Sequence, residues 1–167
     1  MTRRASAGLV LGLAVFGVSW GSILVRLCDG ADPLAIAFWR LAIAAALVAP
    51  WAVGAGRPRV DRRTVLAGVL AGCFLAIHFA TWIQSLAWTT VASSVILVST
   101  APVFTALLSP WILGERPGRG AWGAVALTLA GSAVLARGDL ALGTRALVGD
   151  ALAVVGALAV SLYMMVG

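Results

Sequence analysis

Six apolar runs follow one another along this 167-residue chain, and each is long enough to form a helix that crosses a lipid bilayer. A hydrocarbon core of about 30 Å takes roughly 20 helical residues. The runs are Ala7 to Leu27, Leu34 to Trp51, Thr64 to Ala87, Val91 to Leu113, Ala121 to Ala136 and Leu147 to Val166. Backbone groups in hydrocarbon must bond internally, and the period-two alternation of a barrel is absent. We therefore predict an all-α, polytopic membrane helix bundle with about six transmembrane helices.

Composition favours the bilayer over water as the surroundings of this fold. Hydrophobic residues make up 62% of the chain and charged residues 11%, whereas an average soluble domain carries about 25% charged residues. A soluble fold of this size would expose a large apolar surface. The twelve basic residues are all arginines, and they are scattered between the apolar runs instead of being gathered on one helix. We therefore expect the lipid bilayer as a partner, and no nucleic acid.

The arginines in the connections indicate the orientation of the chain. Those expected on one side of the membrane are Arg3, Arg4, Arg57, Arg59, Arg62, Arg63, Arg116 and Arg119. The other side holds only Arg137 and Arg145, and its first connection carries Asp29 and Asp32. Arginine-rich connections stay in the cytoplasm. We predict a multi-pass protein of the cell inner membrane with a cytoplasmic amino terminus.

Polar side chains within the runs point to a binding cavity, since each costs free energy in hydrocarbon unless it meets a partner, a cavity or water. Counting helical rise places polar residues of the first four runs at similar depth. The candidates for substrate binding are Arg40, Trp20, His78, Trp82, Ser99 and Thr100. Alternatively, Arg40 extends outward toward Asp32, the aromatic rings fill volume, and the hydroxyl groups bond to their own helices.

Two further patterns concern helix shape and packing. Pro102 is expected to kink or open the fourth helix, because it cannot donate a backbone hydrogen bond. Small residues four apart predict close helix packing. They occur at Gly8 and Gly12, Gly17 and Gly21, Ala42 and Ala46, and Gly68 and Gly72.

The residue types do not suggest catalysis. We expect no carboxylate within a span, no nucleophile with a matching base, no His/Cys cluster for a metal and no phosphate-binding glycine loop. The sequence therefore predicts neither an enzyme nor a metal or cofactor site. A missing buried acid also argues against a small multidrug exporter built on one protonatable carboxylate.

Several segments resemble a known family in the right order. They are Pro33 followed by Phe38-Trp39-Arg40-Leu41, the stretch His78 to Ser94, the small-residue stretch from Ala92 through Pro102 to Leu108, then Gly114-Glu115-Arg116, and Trp122 to Gly131. Together they resemble the EamA family of the drug/metabolite transporter superfamily. One departure is Trp39, which stands beside Arg40 where the family more often has another residue.

The resemblance implies a ten-helix secondary transporter made of two inverted five-helix repeats, which exports or exchanges small metabolites such as amino acids. Residues 7–137 would be one complete EamA-type repeat, and residues 147–167 the first helix of a truncated second repeat. A homo-oligomer or the missing second repeat would complete the carrier. Pro102 and Glu115 are expected to have structural or gating roles, with Glu115 capping a helix or pairing with Arg116 or Arg119.

Two alternatives remain open at this point. The chain could be a non-transporting truncated membrane protein that acts only as an assembly partner. It could also be a homo-oligomeric small multidrug exporter, in which two copies together form the cavity.

Overall fold

All the secondary structure that is described in this protein is helical. The computed structural model describes residues 3–28, 30–54, 61–140 and 143–167, and it describes side chains in 8–28, 30–51, 61–134, 137 and 143–167. The helices are α1 Arg3–Ser19, α2 Gly21–Leu27, α3 Pro33–Gly54, α4 Arg62–Trp88, α5 Val91–Val98, α6 Ala101–Ile112, α7 Arg119–Leu140 and α8 Thr144–Val166. Several charges used to predict the orientation lie outside the described side chains, namely Arg3, Arg4, Asp29, Arg57, Arg59 and Asp139.

The helices provide the predicted spans. Five segments among the described residues are long and apolar enough to cross a bilayer, and they are Gly8–Leu27, Pro33–Trp51, Arg62–Trp88, Val91–Ile112 and Thr144–Val166. The remaining helix, α7, has 22 residues and is therefore about 33 Å long. The prediction of an all-α bundle with about six membrane-spanning helices is confirmed. Because α8 begins at Thr144, Arg145 lies in a helix and not in the connection where the sequence placed it.

Polar side chains cap the first turns of α4 and α5. The carboxylate of Asp61 accepts hydrogen bonds from the hydroxyl and the backbone N–H of Thr64, the latter at 3.0 Å, and so caps α4. The hydroxyl hydrogen bond is the main cause that lowers the pKa of the Asp61 carboxyl. Thr90 caps α5 by accepting from the backbone N–H of Ser93 at 3.0 Å.

Two of the six spans are interrupted. The first span breaks at Trp20, between α1 and α2, and the fourth breaks at Ser99 and Thr100, between α5 and α6. Pro102 follows directly, and its nitrogen cannot donate to the carbonyl of Val98. The interruption predicted from this proline is confirmed.

Helices α4 and α8 pack closely as an antiparallel pair, and α8 also contacts α5, α6 and α7. At one end, a Cβ added at Gly149 would lie 2.9 Å from both the Cβ and the backbone nitrogen of Thr89. In the middle, a Cβ at Gly156 would lie 3.1 Å from the hydroxyl of Thr81. Glycine at these two positions lets the backbones approach closely.

The close packing predicted at the earlier glycines is mostly wrong. A Cβ added at Gly8, Gly12, Gly17, Gly68 or Gly72 would meet no atom within 4 Å. Gly21 does contact another element, but it contacts a side chain and not a helix backbone. Glycines four apart are frequent in apolar sequence, and the pattern alone does not identify which face meets a neighbour.

An apolar cluster joins α3 to α4 and lies beside the candidate site. Its buried members are Ala37, Trp82, Ile83 and Leu86, and the last two are each only 1% exposed. Side chains of α2, α3, α4 and α5 pack against it, namely Val25, Ile36, Phe79, Val91 and Val98. Many other large apolar side chains are exposed, as a surface in contact with lipid requires.

Candidate functional site

A cavity of about 550 Å³ lies between the first four spans. This volume is within the range of small-molecule sites, which is about 300–1,000 Å³. Valines, Ala14 and Phe79 form the apolar part of the wall. The polar part consists of Ser19, Ser22, Arg40, His78, Trp82 and Ser99.

Arg40 is the cation of this cavity, and aromatic rings hold it in place. Its guanidinium carbon lies 4.7 Å from the ring centroid of Phe79 and 5.7 Å from that of Trp82. Such cation–π contacts contribute about 0.5–2 kcal/mol each. Gly21 makes room on another side, because a Cβ there would lie 3.2 Å from an Arg40 guanidinium nitrogen.

No ion pair or hydrogen bond links Arg40 to any other side chain that the structure describes, and this includes Asp32. The alternative in which Arg40 extends to Asp32 is therefore wrong. Instead, the Asp32 carboxylate accepts from the backbone N–H of Leu34 at 2.7 Å. Arginine has five N–H donors in a fixed fork that matches a carboxylate. Arg40 thus presents a charged set of donors in a cavity at mid-depth of the bundle.

His78 connects the cavity wall to α8. Its Nδ1 lies 2.8 Å from the carbonyl oxygen of Gly156, and because a carbonyl only accepts, Nδ1 carries the proton. In the neutral ring, Nε2 is then an acceptor. The imidazole stacks on Trp82 with a centroid distance of 5.9 Å and meets Phe79 edge-on at 4.8 Å. The ring is therefore fixed by contacts with two aromatic rings and by one hydrogen bond.

Trp82 lines the cavity with its ring, and its indole N–H is buried. The side chain is 8% exposed, and its indole N–H has no hydrogen-bond partner among the described groups. A buried donor without a partner costs about 1–3 kcal/mol. Arg40 is therefore the charged donor of the cavity, which has no carboxylate among its described lining residues.

The structure brings four of the six predicted binding residues together, namely Arg40, His78, Trp82 and Ser99. The other two do not line the cavity. Trp20 is 48% exposed at the break in the first span and packs edge-on against Phe16. The hydroxyl of Thr100 donates to the carbonyl of Leu97 at 2.7 Å. Their predicted roles have no geometric support here, and the roles of the other four stay predictions.

Other residues of the site were not among the predicted binding residues, and the polar ones are Ser19 and Ser22. Gly21, Ser22 and Phe79 touch Arg40 or line the cavity. Gly21 and Phe79 carry no polar atom in the side chain, so a search for polar groups in apolar runs passes over them. The adjacency of Phe79 to His78 was the one available signal.

A buried carboxylate was also missed. Asp150 lies in α8, is 8% exposed and accepts a hydrogen bond from the Thr89 hydroxyl at 2.7 Å. The expectation that no span contains an acid is therefore wrong. The Thr89 hydroxyl, at the α4–α5 corner that Thr89 and Thr90 form between these two helices, supplies a donor that offsets part of the cost of burying the Asp150 carboxylate. The carbonyl of the same Thr89 accepts from an Arg26 guanidinium nitrogen at 2.7 Å.

Glu115 lies in the connection between α6 and α7, after Gly114, whose φ is 71°. The carboxylate is exposed. Neither the helix cap nor the ion pair with Arg116 or Arg119 that the sequence suggested is present among the described residues. A structural or gating role of Glu115 stays a prediction.

Comparison with known proteins agrees with this architecture. The model of the EamA-like transporter family matches residues 5–137, which extend from α1 into α7. No curated protein and no solved structure gives a significant match. Members of this family are transporters and not enzymes. The chain therefore belongs to the EamA-like transporter family of the drug/metabolite transporter superfamily, and it is a multi-pass membrane transporter.

Proposed function

We propose that this chain exports or exchanges small carboxylate-bearing metabolites, such as amino acids, across the inner membrane, and that Arg40 binds the carboxylate. The observation that carries the proposal is the guanidinium in the 550 Å³ cavity, held over Phe79 and Trp82 without an acidic partner among the described residues. A charge inside a span indicates function by default, because its burial costs free energy.

The remaining lining fits the other parts of such a molecule. Nε2 of neutral His78 can accept from an ammonium or hydroxyl group. The hydroxyl of Ser99 donates to the carbonyl of Val95 at 2.7 Å, which leaves its oxygen as an acceptor. The valines and the aromatic rings offer apolar surface to a side chain. One strong anion site, a few acceptors and an apolar wall match an amino acid.

Orientation belongs to the same proposal. Arginines are concentrated at the start of α1 and around the starts of α4 and α7, and this distribution favours a cytoplasmic amino terminus. With that orientation, the ends of α2 and α4 and the start of α8 face the outside. We call this the outer end of the bundle.

The buried Asp150 is not placed to serve the multidrug alternative, in which an acid binds a cationic substrate. Exporters of cationic compounds require an acid that meets the substrate. Asp150 instead accepts from Thr89, and it does not line the 550 Å³ cavity. The cavity presents Arg40, which repels cations, so the charge of its described lining favours anionic groups.

The test is uptake by the purified 167-residue chain in liposomes, with a panel of amino acids, neutral sugars and organic cations. We expect uptake of carboxylates. Arg40→Gln should lower it about 10- to 100-fold, since a hydrogen bond to a charged group contributes about 1.5–3 kcal/mol. Arg40→Lys keeps the charge but loses the forked set of N–H donors. Its carboxylate uptake should lie between that of the unchanged chain and that of Arg40→Gln.

Arg116→Gln is the matched control, because it removes one arginine that lies exposed in the connection after α6. Its uptake should equal that of the unchanged chain. Equal carboxylate uptake by Arg40→Gln would overturn the role of Arg40. Folded protein that neither binds nor transports any panel member would instead favour the assembly-partner alternative.

A further inference from the structure

A second cavity, of about 280 Å³, lies at the outer end of the bundle. The connection between α2 and α3, the end of α4 and the start of α8 surround it. Two arginines from different helices line it, Arg26 of α2 and Arg145 of α8. No acid is among the lining residues that the structure describes, and Asp29 lies outside the described residues.

Both arginines are oriented by contacts with the α4–α5 corner. A guanidinium nitrogen of Arg26 donates to the carbonyl of Thr89 at 2.7 Å, and this bond uses one of five N–H donors. The guanidinium carbon of Arg145 lies 5.9 Å from the ring centroid of Trp88. Trp88 also lines this cavity. Cations that are held by a carbonyl and by an aromatic ring keep their charge available to an anion.

The nearby carboxylate of Asp150 does not line this space. It is 8% exposed and accepts from the hydroxyl of Thr89, on the side of the corner where α8 packs. The charge that this cavity presents through its described lining is therefore the sum of two arginines. Two positive charges within one small cavity attract anions and repel cations.

A thin apolar layer separates this outer cavity from the cavity at Arg40. Ile83 and Leu86, each 1% exposed, line the outer cavity, whereas Trp82 of the same apolar cluster lines the inner one. On α3, Ile36 lines the outer cavity and Arg40, about one helical turn further along the chain, lines the inner one. The two cavities therefore lie one above the other, about 6 Å apart along the helices.

We propose that the outer cavity is a second anion site on the transport path. It holds the carboxylate of the transported molecule between the cavity at Arg40 and the outside, and the apolar cluster is the gate that separates the two sites. This inference rests on the proposed function for the identity of the anion. A lipid phosphate is the other source of the same chemistry, and the experiment below distinguishes the two.

Cys28 lines the outer cavity and is a natural probe of its charge. In a Cys73→Ser background, the rate of modification of Cys28 is measured with an anionic sulfonatoethyl and a cationic trimethylammonioethyl thiosulfonate. Because the attacking thiolate is itself an anion and favours the cationic reagent, each rate is divided by the rate of the same reagent with a free thiol in solution, and we expect this normalised ratio of anionic to cationic modification to exceed one. Arg26→Gln and Arg145→Gln should each lower the ratio of the two rates about five-fold, because each removes one charge close to the thiol.

Two control variants separate local from distant charge. Arg116→Gln, near the opposite end of the bundle, should leave the ratio unchanged. Arg40→Gln should lower it less than Arg26→Gln or Arg145→Gln does, because Arg40 lines the inner cavity and not the cavity of the thiol. A normalised ratio of one or less in the unchanged chain, or a ratio that neither Arg26→Gln nor Arg145→Gln alters, would overturn the outer anion site.

The source of the anion is tested by protection of Cys28 from the reagents. Millimolar acetate or inorganic phosphate should slow modification by the anionic reagent in lipid-free detergent. Protection that is seen only in vesicles containing an anionic phospholipid, and not with the soluble anions, would identify the outer cavity as a headgroup site. It would overturn the proposal that this cavity lies on the transport path. Neither measurement requires transport, so failure of the role of Arg40 and failure of the outer site are separable.

Discussion

Single side chains around Arg40 determine the properties of the candidate site. The guanidinium occupies a space bounded by two aromatic rings and by Gly21, where even one methyl group has no free volume. A guanidinium that must bind a carboxylate through two parallel hydrogen bonds needs a fixed plane. Gly21 is therefore a positioning residue for Arg40, although it has no side chain to contact a substrate.

Gly21→Ala should weaken carboxylate binding about 10-fold. The added Cβ would lie 3.2 Å from a guanidinium nitrogen, so the guanidinium must shift by a few tenths of an ångström, at a cost of about 1 kcal/mol, the low end for overpacking. Gly17→Ala is the matched control on the same span, where a Cβ meets nothing within 4 Å. Equilibrium binding of a labelled carboxylate by the two variants makes the comparison. Equal losses in both would show that helix flexibility, and not room for Arg40, is what these glycines provide.

At the residue scale, the sequence predicted the depth of side chains better than their direction. Counting along helices placed Arg40, His78 and Ser99 at one level, and the structure brings them to one cavity. The same counting included Trp20 and Thr100, which lie at similar depth but do not line it. Which way a side chain points around its helix axis depends on helix rotation, and helix rotation is set by packing against other helices.

At the scale of elements, α8 and α4 form the tightest contact. Gly149 and Gly156 bring the α8 backbone against α4. Ser161 adds a polar contact, since its hydroxyl lies 2.7 Å from the carbonyl oxygen of Ala101 at the break in the fourth span. Helix α8 therefore holds both the third span and the interrupted fourth span.

Gly149→Ala should lower the thermal stability of the purified protein. Its Cβ would lie 2.9 Å from the Thr89 backbone nitrogen, and backbone cannot move aside as the end of a side chain can. We expect a loss of about 1–3 kcal/mol, seen as an earlier melting transition in detergent. Gly72→Ala on α4 is the control, because nothing lies near its Cβ. A melting temperature of Gly149→Ala equal to that of the control would contradict the packing described here.

The sequence predicted the number, type and approximate bounds of the spans, since apolar length decides them. The interruption at Ser99 and Thr100 also followed, from the chemistry of Pro102. Which helices pack against each other could not be predicted from the sequence. The glycines that suggested close contact on the first and third spans mostly have open space around them. The sixth apolar run, Leu147 to Val166, contains Asp150, so the acid could be found in the sequence, whereas its contact with the Thr89 hydroxyl could not, because Thr89 comes from a distant part of the chain.

At the scale of the whole molecule, the proposed orientation places the outer cavity toward the outside of the membrane. Cys28 should react with a membrane-impermeant thiol reagent in intact cells, in a Cys73→Ser background. A cysteine at Gly118, beside Arg119, introduced together with Cys28→Ser, should react only with a permeant reagent. The arginine distribution is the physical reason. Impermeant labelling of Gly118→Cys in sealed cells would reverse the proposed orientation.

Thr89 connects three parts of the bundle at once. Its carbonyl accepts from Arg26 of α2, its hydroxyl donates to Asp150 of α8, and its backbone touches Gly149. Any conformation that separates these helix ends must break both hydrogen bonds, each of which involves an ionic group and contributes about 1.5–3 kcal/mol. Loss of both bonds would lower the population of a conformation open at this end by at least roughly 100-fold relative to the closed one, unless ligand binding or other contacts compensate. One threonine thus helps to set how often the transporter opens.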